Sequence, residues 1–343
     1  MKRKNIVTIG GGTGSFTLLT GLKKHPVNLS AIVSMADDGG STGVLRDELG
    51  VLPPGDIRQC LVALSDSSEM LRKLMNYRFE KGGLKGHNFG NLFLSALEKI
   101  TGNFSEGVLR ASKILNVKGS VIPVTNHKAT LRIRLKNGKI LNGEDEINHG
   151  SVQKIGVKKM YFGGHVKANL KALKAIRDAD VIVIGPGNHY CSILPNFLIK
   201  EFSAAIKKAK AMVIYNVNLT NKHHHTEGFT VNTYISAIEQ FIGKGRIDYA
   251  TFNIKKPSGQ LMRRYIRHEG KDLLVRFGEK KNAQRSFTLV KGNFIGSAEI
   301  KQNGADAISD TRSFIRHDPH RLATAIMYIV QQKAYKNVIK EII

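Results

Sequence analysis

Two kinds of apolar segment alternate along the chain. Ile6-Val7-Thr8-Ile9, Leu29 to Met35, Val121 to Val124, Val181 to Ile184, Met212 to Val217 and Ile247 to Phe252 are short runs of apolar or β-branched residues. Unbroken runs of this length predict strands buried on both faces. Between them, Phe16 to Lys24, Ile57 to Leu64, Met70 to Tyr77, Phe89 to Ile100, Leu170 to Arg177, Ile193 to Lys208 and Thr230 to Phe241 carry apolar residues at helical spacing. The alternation predicts an α/β fold: a parallel sheet covered by helices on both faces. One stretch, around 125–165, breaks the pattern. Leu131-Arg132-Ile133-Arg134-Leu135 alternates with period two, and Asn137-Gly138 is a hairpin turn signal. An antiparallel insertion is expected there. Residues 1–343 are read as one α/β domain: a core over 1–125 and 166–255, the β-rich insertion over about 126–165, and a C-terminal α/β extension over 256–343.

The first strand runs into Gly10-Gly11-Gly12-Thr13-Gly14-Ser15, and a helix follows. A helix start offers backbone N–H groups and the positive end of a dipole. Glycines let a phosphate approach the backbone because no Cβ is in the way. The turn therefore points to a phosphate-bearing ligand, a nucleotide first of all. A glycine turn without a ligand is the alternative. The motif lacks the Gly-Lys-Ser/Thr ending of a P-loop, so no dedicated lysine meets a β/γ-phosphate. Ser15 stands where a strict dinucleotide fingerprint would have its last glycine, and it is small enough to keep helix and strand close.

Other loops follow strands as well, and ligands in such sheets sit beyond the carboxyl ends of strands. Asp37 and Asp38, with Gly39, Gly40 and Ser41, follow the second strand. They could bind ribose hydroxyls, hold Mg²⁺ beside a phosphate, or cap a turn. Asp56, in Leu52-Pro53-Pro54-Gly55-Asp56-Ile57-Arg58, is either a helix N-cap or an acid held rigidly for catalysis or metal binding. His87, Asn88 and Asn91 surround a helix start, with His87 a candidate general acid or phosphate ligand. Asp37, Asp38, Asp56 and His87 are thus the candidate catalytic groups. Gly185-Pro186-Gly187-Asn188 forms a second glycine loop. His223-His224-His225 invites a metal, but three adjacent rings in one loop are not expected to converge on one ion.

Composition narrows the classes. Hydrophobic residues at 41% and charged residues at 23% are ordinary for a globular protein. No run is long enough to span a membrane, and the basic amino terminus lacks the apolar stretch of a signal peptide. Two distant cysteines, Cys60 and Cys191, suggest no disulfide framework or zinc site. A cytoplasmic location fits. The net charge of +26 is compatible with nucleic acid, an anionic membrane surface, anionic small ligands or drift of the whole proteome. No nucleic-acid motif accompanies it, so no specific nucleic-acid partner is expected.

Taken in order, these motifs resemble the bacterial gluconeogenesis factor family. They are Gly-Gly-Gly-Thr-Gly, Ala36-Asp37-Asp38-Gly39-Gly40-Ser41, Leu52 to Arg58, Gly86-His87-Asn88-Phe89-Gly90-Asn91-Leu92-Phe93, Gly185 to Asn196, and Arg316-His317-Asp318-Pro319, with Arg264-Tyr265 before the last. The family is related to the phospholactate transferases of deazaflavin coenzyme synthesis, which are Rossmann-like and use Mg²⁺. The resemblance implies UDP-sugar binding, a role in growth on gluconeogenic carbon, and a link to cell shape and wall synthesis. It also implies that Gly11, Gly12, Thr13 and Gly14 meet a diphosphate, and that Asp37 and Asp38 lie at a metal or ribose. Asn88, Asn91, Gly185, Gly187 and Asn188 would line the pocket, and Tyr265 and Arg316 would serve its uridine and diphosphate end. The partners implied are a UDP-sugar or related nucleotide, an envelope-synthesis protein and a second copy of the chain. A Mg-dependent transferase acting on a phosphorylated small molecule is the alternative. The chain departs from the family after Asn216-Val217-Asn218-Leu219-Thr220: Asn221-Lys222-His223-His224-His225-Thr226-Glu227-Gly228 replaces a Gln-Pro-Gly-Glu-Thr-Asp-Gly type of loop.

Overall fold

A computed structural model describes residues 3–271, 273–278, 286–296 and 314–342 of the 343-residue chain. Part of the extension expected over 256–343 therefore lies outside the described residues. The strands are β1 (Asn5–Gly10), β2 (Asn28–Val33), β3 (Ser120–Pro123), β4 (Thr130–Leu135), β5 (Ile140–Asn142), β6 (Val157–Gly163), β7 (Val181–Ile184), β8 (Met212–Asn216), β9 (Tyr249–Asn253) and β10 (Thr288–Gly292). Seven of them form one sheet in the order β10-β9-β8-β7-β1-β2-β3. Every neighbouring pair in it is parallel, with Ile6 opposite Leu29 on one side and Val181 on the other. Its centre is apolar on both faces: Ile6, Ile9, Ile32, Ile182, Val183, Ile184, Val213 and Ile214 are at most 1% exposed. That is why these runs read as unbroken rather than alternating.

From β1 the chain steps outward through β2 to β3, then returns to lay β7 on the other side of β1. The order reverses there, and a crevice opens at the carboxyl ends of β1 and β7. Helices cover both faces. Gly12–Leu22 packs on Gly55–Leu64 and Pro319–Ile342. An added Cβ at Gly21 would sit 2.0 Å from the Pro319 carbonyl oxygen, so the first helix and the last one nearly touch. The helices Leu170–Arg177, Lys200–Lys208 and Val231–Ile242 pack together elsewhere on the sheet.

The insertion is antiparallel as the period-two pattern predicts. β4 pairs with β5 and β6, with a register shift between Arg134 and Leu135. Leu131, Ile133 and Leu135 point inward while Arg132 and Arg134 are exposed. Its hairpin continues into a short helix, Gly143–His149, that the alternation did not announce.

Two other differences have physical causes. Residues expected as a small-residue loop after Asp38 form a helix, Gly40–Leu49, which buries Thr42 and Leu45 and ends on left-handed Gly50. The continuous helix expected over Ile193–Lys208 is broken into a π-helical turn, His189–Ile193, and the helices Leu194–Phe197 and Lys200–Lys208. Side chains stand in for the missing ladder. Asn196 Nδ2 donates to the Ser192 and Ile193 carbonyls at 2.8 and 3.0 Å, and Ser203 Oγ donates to Phe197 O at 2.6 Å.

Candidate functional site

Three helices begin at one cavity above the crevice. Gly12–Leu22, Gly40–Leu49 and Gly55–Leu64 have Gly11, Gly39 and Pro54 at their N-cap positions, and none of these supplies a side-chain cap. Among the described residues, six other α-helices carry side-chain caps, from Ser68, Asn88, Asn103, Asn169, Thr230 and Ser258, while Gly143–His149, Val152–Ile155, Leu194–Phe197 and Lys200–Lys208 also lack one. An uncapped helix start leaves N–H donors without intrahelical partners and a positive dipole end. Residues of all three starts line the cavity. Glycine is required where the walls meet. A Cβ at Gly14 would lie 2.0 Å from the Pro186 carbonyl oxygen, which belongs to the loop after β7. Gly12 has φ +60°, the left-handed region.

Carboxylates face the same space. Asp37 and Asp56 are buried, and both line the cavity. A Cβ at Gly11 would meet Asp56 Oδ2 at 2.0 Å, and one at Gly55 would meet Asp37 Oδ2 at 2.4 Å, so each acid is folded against a glycine of the site. Asp37 Oδ1 accepts from Gly39 N–H at 3.1 Å. Glu144, from the insertion's helix, is a third acid of the cavity, and Glu269 is a fourth. Burial holds its carboxyl well above the ordinary range, and the neighbouring Asp37 and Asp56 push in the same direction. Asp56 is not the N-cap of its helix; Pro54 occupies that position.

Cationic and amide groups complete the wall. Arg58 is buried; its Nε donates to Asn91 Oδ1 at 2.9 Å and its Nη1 to Asn76 Oδ1 at 2.6 Å. Arg78 Nη1 donates to Gly86 O at 2.6 Å. Lys222 Nζ donates to Asn148 Oδ1 at 2.6 Å. Asn218 clamps the second glycine loop, accepting from Gly187 N–H at 3.3 Å and donating to Gly187 O at 2.9 Å. Tyr265 is buried at the cavity and donates from its hydroxyl to Asn221 O at 3.1 Å, while Arg316 reaches the cavity from the C-terminal segment. His189 is packed edge-on against Tyr190, Phe229 and Tyr234, with ring centroids 5.0, 5.7 and 5.1 Å away. Its two ring nitrogens have no hydrogen-bond partner among the described residues, and burial lowers its pKa to about 3.

Of the residues singled out in the sequence, Gly11, Gly12, Thr13, Gly14, Asp37, Gly39, Gly40, Ser41, Asp56, Asn91, Gly187, Asn188, Tyr265 and Arg316 line this one cavity. Asp38, His87, Asn88 and Gly185 are placed beside it. Asp38 turns toward the insertion: it pairs with Arg46 at 3.2 Å and accepts from the Glu144 N–H at 2.6 Å. Its carboxyl is raised by burial, against the pull of Arg46. The Asp37–Asp38 pair expected for a metal is therefore divided, with Asp37 in the cavity and Asp38 anchoring the helix that carries Glu144. His87 Nδ1 lies 3.2 Å from Ser41 Oγ, and Asn88 caps the helix Phe89–Thr101. The Gly185 carbonyl accepts from Asn216 Nδ2 at 3.0 Å. Glu144, Lys222, Arg58, Arg78, Asn218 and Thr226 were not anticipated. Glu144 sits in an acidic run after a short strand and a glycine, Arg58 in the rigid turn Leu52 to Arg58, and Asn218, Lys222 and Thr226 in or beside the departing loop, but none of these local signals marks the residue for the cavity. Burial raises both cysteine thiols, Cys60 and Cys191, well above their ordinary range.

Fold and site together define a Rossmann-like α/β protein with a cavity at which three helix N-termini meet. Residues 6–295 match the family model of 2-phospho-L-lactate transferase CofD. The chain is 34% identical to the gluconeogenesis factor of Bacillus subtilis, over 96% of this chain and 99% of that protein. It is 41% identical to the gluconeogenesis factor of Halalkalibacterium halodurans, over 80% of this chain and 85% of that protein. A crystal structure of a member of the UPF0052 family from Bacillus halodurans superposes with a TM-score of 0.84 at 36% identity, over 95% of this chain and 99% of that one. The chain belongs to the CofD family and, within it, to the gluconeogenesis factors. Among the described residues, no helix is long and apolar enough to cross a membrane.

Proposed function

We propose that this protein is a cytoplasmic binder of a UDP-sugar, UDP-N-acetylglucosamine being the representative ligand, and acts as a regulator linking gluconeogenic carbon supply to cell-wall synthesis and cell shape. The convergence of three helix starts without side-chain caps on one cavity carries this reading. A diphosphate is a ligand whose charge and oxygens match such a cluster of N–H donors. Arg58, Arg78, Lys222 and Arg316 add cationic charge around it. The carboxylates of Asp37 and Asp56 suit Mg²⁺ shared with phosphate oxygens, since that ion takes hard oxygen donors and few protein ligands. A bound Mg²⁺ would supply charge neutralisation. The regulatory output would pass through an envelope-synthesis protein and a homodimer.

A second reading is favoured by the acids Asp37, Asp56, Glu144 and Glu269 around one cavity and by the family model. It is a Mg-dependent transferase acting on a phosphorylated small molecule. Transfer of a phosphorus-bearing group depends on positioning and electrostatics more than on covalent help. One experiment separates the two. UDP-N-acetylglucosamine is titrated calorimetrically with and without Mg²⁺, and the contents are then analysed for product. Saturable heat with intact ligand is the expected result and fits a regulator. A changed ligand makes the protein an enzyme. No heat under either condition sinks the UDP-sugar reading.

A further inference from the structure

The loop that departs from the family, Asn221 to Gly228, has two faces. Lys222, His225 and Thr226 line the cavity. His225 is buried, and its Nε2 lies 2.7 Å from Ile147 O. On the outer face, His223, His224 and Glu227 each offer one ligand atom, and these atoms lie within 4.8 Å of one another. Among the described residues, this is the one group of His, Cys, Asp or Glu side chains so placed.

Adjacent side chains ordinarily diverge. Here His224 has φ +61°, in the left-handed region. The His223 and His224 ring centroids are 3.8 Å apart, with the planes inclined by 49°. His223 Nδ1 contacts Glu227 Oε1, four residues on. The backbone beneath them is braced. Gln153 donates from its N–H to His224 O at 2.9 Å and from Nε2 to Glu227 O at 2.9 Å, and Lys222 N–H donates to Thr226 Oγ1 at 2.9 Å. The three donors are thus presented on a held frame, and little further ordering is needed to close them on an ion.

We propose that His223, His224 and Glu227 form a binding site for a borderline divalent transition-metal ion of the Zn²⁺ type, on the outer face of the loop that walls the cavity. Two imidazoles and one carboxylate suit Zn²⁺ rather than Mg²⁺ or Ca²⁺, which prefer all-oxygen sets. Three protein ligands leave one position of a tetrahedral ion for water or another group. A tetrahedral ion with ~2.1 Å bonds spaces its ligands about 3.4 Å apart, so modest rotation of these surface side chains closes the site. The ion would tie the loop's ends together on the side opposite Lys222 and His225. The site does not depend on what the cavity binds.

The test uses the full chain stripped of metal with a chelator. ZnCl₂ alone is titrated in competition with a zinc-sensitive dye, and folding is checked by circular dichroism. One tight site per chain is expected. His224→Asn removes a ligand while keeping a residue that tolerates the left-handed conformation. Glu227→Gln keeps the size and removes the charge. Each should weaken Zn²⁺ at least tenfold, while His149→Asn, at an exposed histidine elsewhere, should not. The proposal is overturned if both loop variants bind Zn²⁺ as tightly as the parent. Binding by the parent no tighter than millimolar overturns it equally.

Discussion

Gly14 is the clearest single-residue constraint. A methyl group there would lie 2.0 Å from the Pro186 backbone oxygen, and a backbone cannot swing aside as a side chain can. Gly14→Ala should therefore destabilise by ~1–3 kcal/mol, as overpacking does, and should abolish nucleotide binding. Thermal melts and calorimetry read both effects, and an unchanged melting temperature would refute the close approach. Glu144 allows a prediction of sign. Its folded pKa is raised by burial and by Asp37 and Asp56, so the folded state holds a proton that the unfolded chain releases. Stability linked to this group is present below the ordinary carboxylate pKa and is lost as pH rises toward the folded one. Glu144→Gln should gain on the parent as pH climbs from 4 toward 7, in denaturant titrations at each pH. Parallel curves for the two proteins would remove the like-charge cluster. The glycines and Asp37 were legible because a strand running into small residues announces a site. Glu144 was not, because it arrives from an insertion more than a hundred residues along the chain, and only folding sets it beside Asp37.

At the scale of elements, the site is a meeting of helix starts. Gly39 is the N-cap of Gly40–Leu49 with φ −80° and ψ 145°, a conformation open to any residue. Gly39→Asp should supply the missing cap and raise helix stability by a few tenths of a kcal/mol over glycine. It should also place a carboxylate where the ligand's phosphate would sit, weakening UDP-sugar binding at least tenfold while the melting temperature is held or raised. A variant that binds normally would mean that this helix start does not face the phosphate. The sequence reads as loop here because Gly39-Gly40-Ser41-Thr42-Gly43 has poor helix propensity, and burial of Leu45 overrides it. The break in Ile193–Lys208 is only partly visible in the sequence. Pro195, which has no N–H to donate, marks the start of Leu194–Phe197, while the Asn188, Asn196 and Ser203 side chains that compete for backbone groups follow from the fold.

For the whole molecule, buried histidines set the acid limit. Burial lowers His189 to about 3 and His317 to about 4, the latter against an opposing hydrogen bond with the Val217 backbone. Both are neutral in the fold and would protonate at about 6.5 once exposed. Their stabilising contribution is complete above that value. It is lost as pH falls, at about 1.4 kcal/mol per group for each unit between the unfolded and folded values. Stability should therefore drop steeply between pH 6.5 and 4, and His317→Asn should flatten the slope; an unaltered slope would place the acid sensitivity elsewhere. The linear pattern was enough for the parallel sheet, the antiparallel insertion and the glycine turns, because period and turn chemistry act over a few neighbouring residues. The order β10-β9-β8-β7-β1-β2-β3 and the grouping of Asp37, Asp56, Glu144, Lys222 and Arg316 at one cavity came only with tertiary packing. So did the turning of Asp38 away from that cavity and of His223 and His224 outward from their loop. Those outcomes depend on contacts between segments distant in the chain, and no local spacing encodes where such segments meet.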